Sequence, residues 1–206
     1  MNKLNVIGMV VLGFISASST SAQNFGYHLV GGANFCQIDG DQMGGFNKLG
    51  VRAGFGVYLN NSKNDEYGFE ITYALKGART ALNPDNPAQI ILRYNYSYLE
   101  IPLFYEKKIR EKIGLRFALA PAYLVSAQAD LGGGFREQEN VRSLEVSGMI
   151  GPTYELTENW FAYVHYQYSL ASIINLQKSQ VPGANFRRTG VYNHLISAGL
   201  RYKFSN

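Results

Sequence analysis

Glu66-Tyr67-Gly68-Phe69-Glu70-Ile71-Thr72-Tyr73-Ala74-Leu75-Lys76 alternates without a slip. Tyr67, Phe69, Ile71, Tyr73 and Leu75 share one face; Glu66, Gly68, Glu70, Thr72, Ala74 and Lys76 share the other. Successive side chains of an extended chain point to opposite sides, so period two marks a strand lying between two unlike environments. The pattern recurs on both sides of this stretch. Strands are predicted over Phe25–Phe35, Val51–Leu59, Glu66–Lys76, Arg93–Glu106, Ile113–Ala127, Leu144–Leu156, Trp160–Leu170 and Tyr192–Phe204. Most approach or exceed the roughly 9–11 residues that a tilted strand needs to cross a bilayer.

The connections alternate in length. Cys36–Leu49, Ala78–Ile90, Gln128–Ser143 and Ala171–Thr189 are long and polar or glycine-rich, whereas Asn60–Asp65, Lys107–Lys112 and Thr157–Asn159 are short. In an up-and-down barrel, successive connections lie at opposite ends. Long loops at one end and tight turns at the other are the habit of bacterial outer-membrane barrels. The chain is therefore expected to be all-β: a closed antiparallel up-and-down transmembrane β-barrel of about eight strands.

The two faces decide what surrounds the barrel. A soluble barrel keeps apolar side chains inside; a membrane barrel turns them to lipid and fills its lumen with polar groups. Here the polar face mixes Gly and Ala with isolated charges of both signs: Arg52, Glu70, Lys76, Glu100, Arg116, Glu145, Glu155 and Arg201, with Lys203 beyond them. These are the expected lumen charges. A barrel of eight strands is only wide enough to be filled by its own side chains, so small residues leave room there and opposite charges can pair. Tyr67, Tyr105, Tyr154, Trp160, Tyr202 and Phe204 gather near strand ends, as interfacial girdles require.

The N-terminus predicts export. Lys3 precedes an apolar run of ten residues, Val6–Ile15, and a small-residue tail ends at Ala22. Ten residues are too few for a spanning helix, which needs roughly 17–25, but suit a cleaved signal. Residues 1–22 are thus expected to be a signal peptide and 23–206 the barrel domain. Cys36 is the only cysteine, which excludes an internal disulfide; it is expected to be a small apolar residue in a loop. A formal charge of +4, thinly scattered, gives no support for a nucleic-acid partner.

Several motifs resemble the PorT-like outer-membrane β-barrel family. They are Gly31-Gly32-Ala33-Asn34 followed by Ile38-Asp39-Gly40-Asp41, then Glu70-Ile71-Thr72-Tyr73-Ala74-Leu75-Lys76-Gly77, Tyr98-Leu99-Glu100-Ile101-Pro102-Leu103 and Gly199-Leu200-Arg201-Tyr202-Lys203-Phe204. The resemblance covers the mature chain in order. It implies a small barrel in the outer membrane of a Gram-negative cell and does not imply one activity; the member that gives the family its name is linked to protein secretion. Ser197, Gly199, Tyr202 and Phe204 are similar to the terminal signal by which outer-membrane barrels are recognised for assembly, although Ser205 and Asn206 follow the aromatic that usually comes last.

The sequence offers little chemistry. No HExxH, nucleophile elbow or phosphate-cradling loop appears, and no cofactor, metal or catalytic residue is expected. Asp39-Gly40-Asp41 lacks the ligands that would follow in a calcium loop. His194 with Ser197 or Ser169 is the one pair that an outer-membrane lipid-modifying enzyme could use, but no third group orients it. Two functional classes stay open: a structural or interaction barrel in the cell envelope, service to secretion or assembly included, and a lipid-modifying enzyme or narrow channel. Expected partners are outer-membrane lipids, the barrel assembly machinery during biogenesis and an envelope protein met by the long loops.

Overall fold

The computed structural model describes residues 25–41, 43–61, 65–86, 88–174 and 190–204. The expected signal peptide over residues 1–22 and the final Ser205-Asn206 lie outside them. The described residues form ten strands: β1 Phe25–Asp39, β2 Lys48–Asn60, β3 Glu66–Arg79, β4 Arg93–Glu100, β5 Leu103–Arg110, β6 Ile113–Asp130, β7 Phe135–Glu137, β8 Leu144–Glu155, β9 Trp160–Ser169 and β10 Tyr192–Lys203. β4 and β5 are one stave interrupted at Ile101-Pro102, since proline has no N–H to give to a ladder. Neighbouring backbone keeps the wall sealed there: Ile101 N donates to the Pro121 carbonyl at 2.8 Å, and the Pro102 carbonyl accepts from Glu70 N at 3.0 Å. β7 is a short flap on β6 outside the main wall. The rest make eight staves, each antiparallel to its sequence neighbour. β1 pairs with both β2 and β10, which closes the barrel. Closure follows from the solvent, because hydrocarbon offers no partner to an open strand edge.

The faces follow the alternation. Leu29, Phe55, Phe69, Phe117, Ile150, Val164 and Leu200 point outward and are roughly half exposed, while their neighbours His28, Glu70, Arg116 and His165 are buried inside. Toward the long-loop end the polarity of the two faces reverses, though the parity of β1 does not. Inward Cys36 and Ile38 are apolar and buried, whereas outward Gln37 and Asp39 are polar. β4 does the same, with Tyr94, Tyr96 and Tyr98 turned in and Arg93, Asn95 and Ser97 turned out. In β6 a bulge opposite Ser97 and Tyr98 shifts the parity as well, leaving Ala127 and Ala129 inside and Ser126 and Gln128 outside. Above the bilayer the wall is bathed in water, so it is patterned like a soluble barrel. Cys36 is correspondingly not in a loop; it sits in β1, 1% exposed, facing the interior.

The inward glycines have a tighter role than making room. A Cβ on Gly56 would meet the His28 ring, as space-making predicts. A Cβ on Gly54, however, would overlap the Ile71 carbonyl oxygen of the neighbouring strand, and one on Gly151 would overlap that of Val164. On the concave side of so narrow a barrel the strands themselves crowd these positions. Gly54→Ser is therefore overpacked rather than mild, with an expected cost of about 1–3 kcal/mol.

Phe55, mid-strand on β2 and 52% exposed, registers with Leu29 on one side and Ile71 on the other. Phe55→Arg puts a charge into lipid and is expected to cost about 2–4 kcal/mol. Phe55→Leu keeps the side chain apolar and is expected to cost under about 1.5 kcal/mol. Urea titrations of refolding into bilayers measure both; equal midpoints would refute the outward placement.

Candidate functional site: the filled lumen

Period two aims the even positions of β2 to β5, those of β6 below its bulge, and the odd positions of β8 to β10 at the axis. The charges among them meet as one alternating chain. Glu145 lies 3.0 Å from Lys76, which lies 2.7 Å from Glu100; Arg52 bridges Glu100 at 3.3 Å and Glu70 at 3.8 Å. Glu70 contacts Arg116 as well, and Arg116 reaches Glu106 at 2.8 Å. Arg201 bridges Glu106 at 2.9 Å and Glu66 at 3.6 Å, and Glu66 contacts Lys203. Five carboxylates thus alternate with five cations from near the long-loop end to the short-turn end. Buried charges are tolerated when paired and hydrogen-bonded, and here every interior member has two opposite neighbours.

Neutral groups take up part of the remaining bonding capacity, while Arg52 Nη2, Arg116 Nη2 and Arg201 Nη1 are held by charge alone. Gln167 accepts from Arg52 at 3.2 Å and donates to Glu100 at 2.9 Å and to the Ser147 hydroxyl at 2.7 Å. Asn193 donates to Glu145 at 2.8 Å, and Thr153 donates to Glu106 at 2.7 Å. The Arg116 guanidinium also lies over the Phe104 ring, 3.8 Å from its centre.

Above this chain the lumen is apolar. Ile38, Ala78, Tyr96, Tyr98, Ala122 and Ala127 line the wall, and Val141, Ile173 and Val191 fold in from the long connections to roof it. Backbone bonds pin the roof: Arg142 N donates to the Ile173 carbonyl and Ile173 N to the Val191 carbonyl, each at 2.7 Å. The lumen is therefore not polar throughout, as the alternation suggested. At its edge, burial raises the Asp41 carboxyl to about 6.

Arg52, Glu70, Lys76, Glu100, Arg116, Glu145 and Arg201 all lie in the lumen and are brought together by this chain. Glu155 is not. It has the inward parity but ends β8 at the short-turn rim, 30% exposed and 3.9 Å from Lys108. Glu106 joins the lumen charges beyond the expected set: it shares parity with Glu100 and Phe104 but borders the expected turn at Lys107, whereas β5 continues to Arg110. Glu66 was masked in the same way by the turn before it. Gln167 and Asn193 carry no charge and gave no signal beyond their parity.

Ser197 is buried and donates to Asn34 Oδ1 at 2.6 Å. Gly199 packs against the Gly31 carbonyl, and Tyr202 lies between Trp160 and Phe204, at 5.0 and 5.2 Å between ring centres. His194 belongs to β10, within the expected last strand. It faces outward among Phe46, Tyr166 and Tyr168. Ser197 and Ser169 face the lumen, so the wall separates both hydroxyls from the imidazole. Among the described residues no cluster of His, Cys, Asp and Glu is arranged to hold a metal ion.

The similarities agree with this geometry. The chain resembles the solved structure of Neisserial surface protein A at 15% identity, covering 86% of this chain and 97% of that one with a TM-score of 0.56. Ail, the attachment invasion locus protein of Yersinia pestis, is similar at 12% identity, with coverage of 89% and 100% and a TM-score of 0.52. No curated protein matches. The model of the outer membrane protein beta-barrel domain matches residues 7–204, and the chain belongs to that family and to the outer membrane.

Proposed function

We propose that this small outer-membrane barrel is a non-enzymatic, non-conducting protein with a structural or interaction role in the cell envelope. The observation that carries this reading is the doubly closed lumen: an unbroken ion-pair chain below and an apolar roof above. What remains for contact is the rim, where the long connections offer a surface to an envelope partner. The motifs resembling PorT-like barrels support a finer role in protein secretion or assembly. On this reading residues 1–22 direct export, Ser197, Gly199, Tyr202 and Phe204 address the barrel to its assembly machinery, and outer-membrane lipids surround it.

Planar-bilayer recording of the purified, refolded protein tests the reading. No large, steady openings are expected, because a filled barrel of this size offers no aqueous path. Stable conductance of porin size would refute the filled lumen and place the protein among channels. Lipid modification by the pure protein would place it among the barrel enzymes.

A further inference from the structure

We propose that Arg79 and Arg93 form a binding site for the phosphate of a phosphorylated glycolipid in the outer leaflet. The two residues are directly opposite in the β3–β4 register. Ala78 and Tyr94 beside them turn into the apolar roof, so both arginines turn outward. Like charges facing one another across a strand pair are unfavourable, and among the described residues neither arginine is in a salt bridge. Nor does either guanidinium have a hydrogen bond among them, and both Nε atoms are buried without a partner. Asp130 registers with Arg93 from β6 and offers one carboxylate to the two arginines, but its Oδ1 is turned to Gly132 N and Gly134 N, each at 3.0 Å, and it forms no salt bridge with either. Two guanidinium groups side by side, each with a buried Nε left unpaired, favour an anion, and the planar fork of Arg fits phosphate.

Depth selects a lipid as the source. The outward residues of β3 run Tyr67, Phe69, Ile71, Tyr73, Leu75, Gly77 and Arg79. Twelve residues at ~3.3 Å, tilted by ~40°, climb about 30 Å, a little more than the apolar band of roughly 25 Å. With Tyr67 at the inner interface, Arg79 stands just beyond the outer one, on the side of the long loops. Below the pair the wall offers Gly77, which has no side chain, and Asn95, opposite it in the register. A headgroup can therefore settle between the arginines and the first apolar residues.

The test uses the full protein, refolded in zwitterionic phosphatidylcholine nanodiscs containing diphosphoryl lipid A, with native mass spectrometry reading the lipid retained. The wild type is expected to retain it, and R79Q/R93Q to bind at least about tenfold more weakly. R136Q, on β7, is expected to bind like the wild type. Dephosphorylated lipid A is expected to bind the wild type as weakly as the double variant binds the phosphorylated form. If the glutamine pair fails to fold, R79K/R93K keeps both charges without the fork and is expected to lose several-fold. Undiminished retention by the folded variants, or equal retention of the dephosphorylated lipid, would overturn the proposal. Displacement of lipid A by an equal concentration of inorganic phosphate would overturn the choice of a lipid.

Discussion

Glu70→Ala is expected to destabilise the folded barrel by about 3–5 kcal/mol, the usual cost of stripping one partner from a buried ion pair. Glu70 is 3% exposed and faces three basic side chains: Arg116, Arg52 at 3.8 Å and His28 Nε2 at 3.0 Å. Without it the five-to-five balance of the lumen becomes one positive charge in excess. Arg116 still has Glu106 and Arg52 still has Glu100, which keeps the cost from growing further. E70A/R116A restores the balance, so it is expected to cost less than the sum of the two single changes, although it empties volume. Glu155→Ala is the contrast. That carboxylate is a third exposed and 3.9 Å from its partner, and such surface pairs contribute at most about 1 kcal/mol. Urea-induced unfolding in lipid, read by the gel shift between folded and boiled protein, measures all four. Glu70→Ala no worse than Glu155→Ala would show that the chain of ion pairs does not support the fold.

The contrast between Glu70 and Glu155 also shows how much of this protein is legible in sequence. Parity alone placed Glu70, Arg116 and Arg201 on the lumen side, because period two is a geometric property of the strand and survives in a single chain. Parity does not report depth. Glu155 has the same parity as Glu145, yet one is inside the barrel and the other at its rim. Strand ends were lost for a related reason. Cys36 and Ile38 continue β1 with their parity intact, but the solvent outside changes from lipid to water between Phe35 and Gln37. An expectation of apolar residues outward stops there and mistakes a change of solvent for the end of a strand. The roof was illegible altogether. Val141, Ile173 and Val191 lie in long connections with no period, and only the folded chain brings them over Tyr96 and Tyr98. The pairing of Arg79 with Arg93 depends on the register across an intervening loop, which alternation does not fix.

Tyr98→Ala tests whether roof and ion-pair chain are separate barriers. Tyr98 is completely buried at their junction, with the Lys76 ammonium 4.8 Å from its ring centre and its hydroxyl 3.5 Å from Asn193 Nδ2. Removing the ring opens a cavity beneath the roof, at an expected cost of about 3–5 kcal/mol. Tyr98→Phe keeps the ring and gives up only the hydroxyl's hydrogen bonding with Asn193 and Glu145, so its expected cost is about 1–2 kcal/mol. A difference of that size in urea midpoints would assign the stability to packing rather than to the hydroxyl. Both variants are nonetheless expected to stay silent in planar bilayers. Ions entering through a loosened roof still meet Lys76 held between Glu100 and Glu145, and then the rest of the chain down to Lys203. Two barriers in series conduct only when both are broken. Steady openings in Tyr98→Ala would mean that the apolar roof alone closes the barrel and that the ion pairs serve the fold without blocking the path.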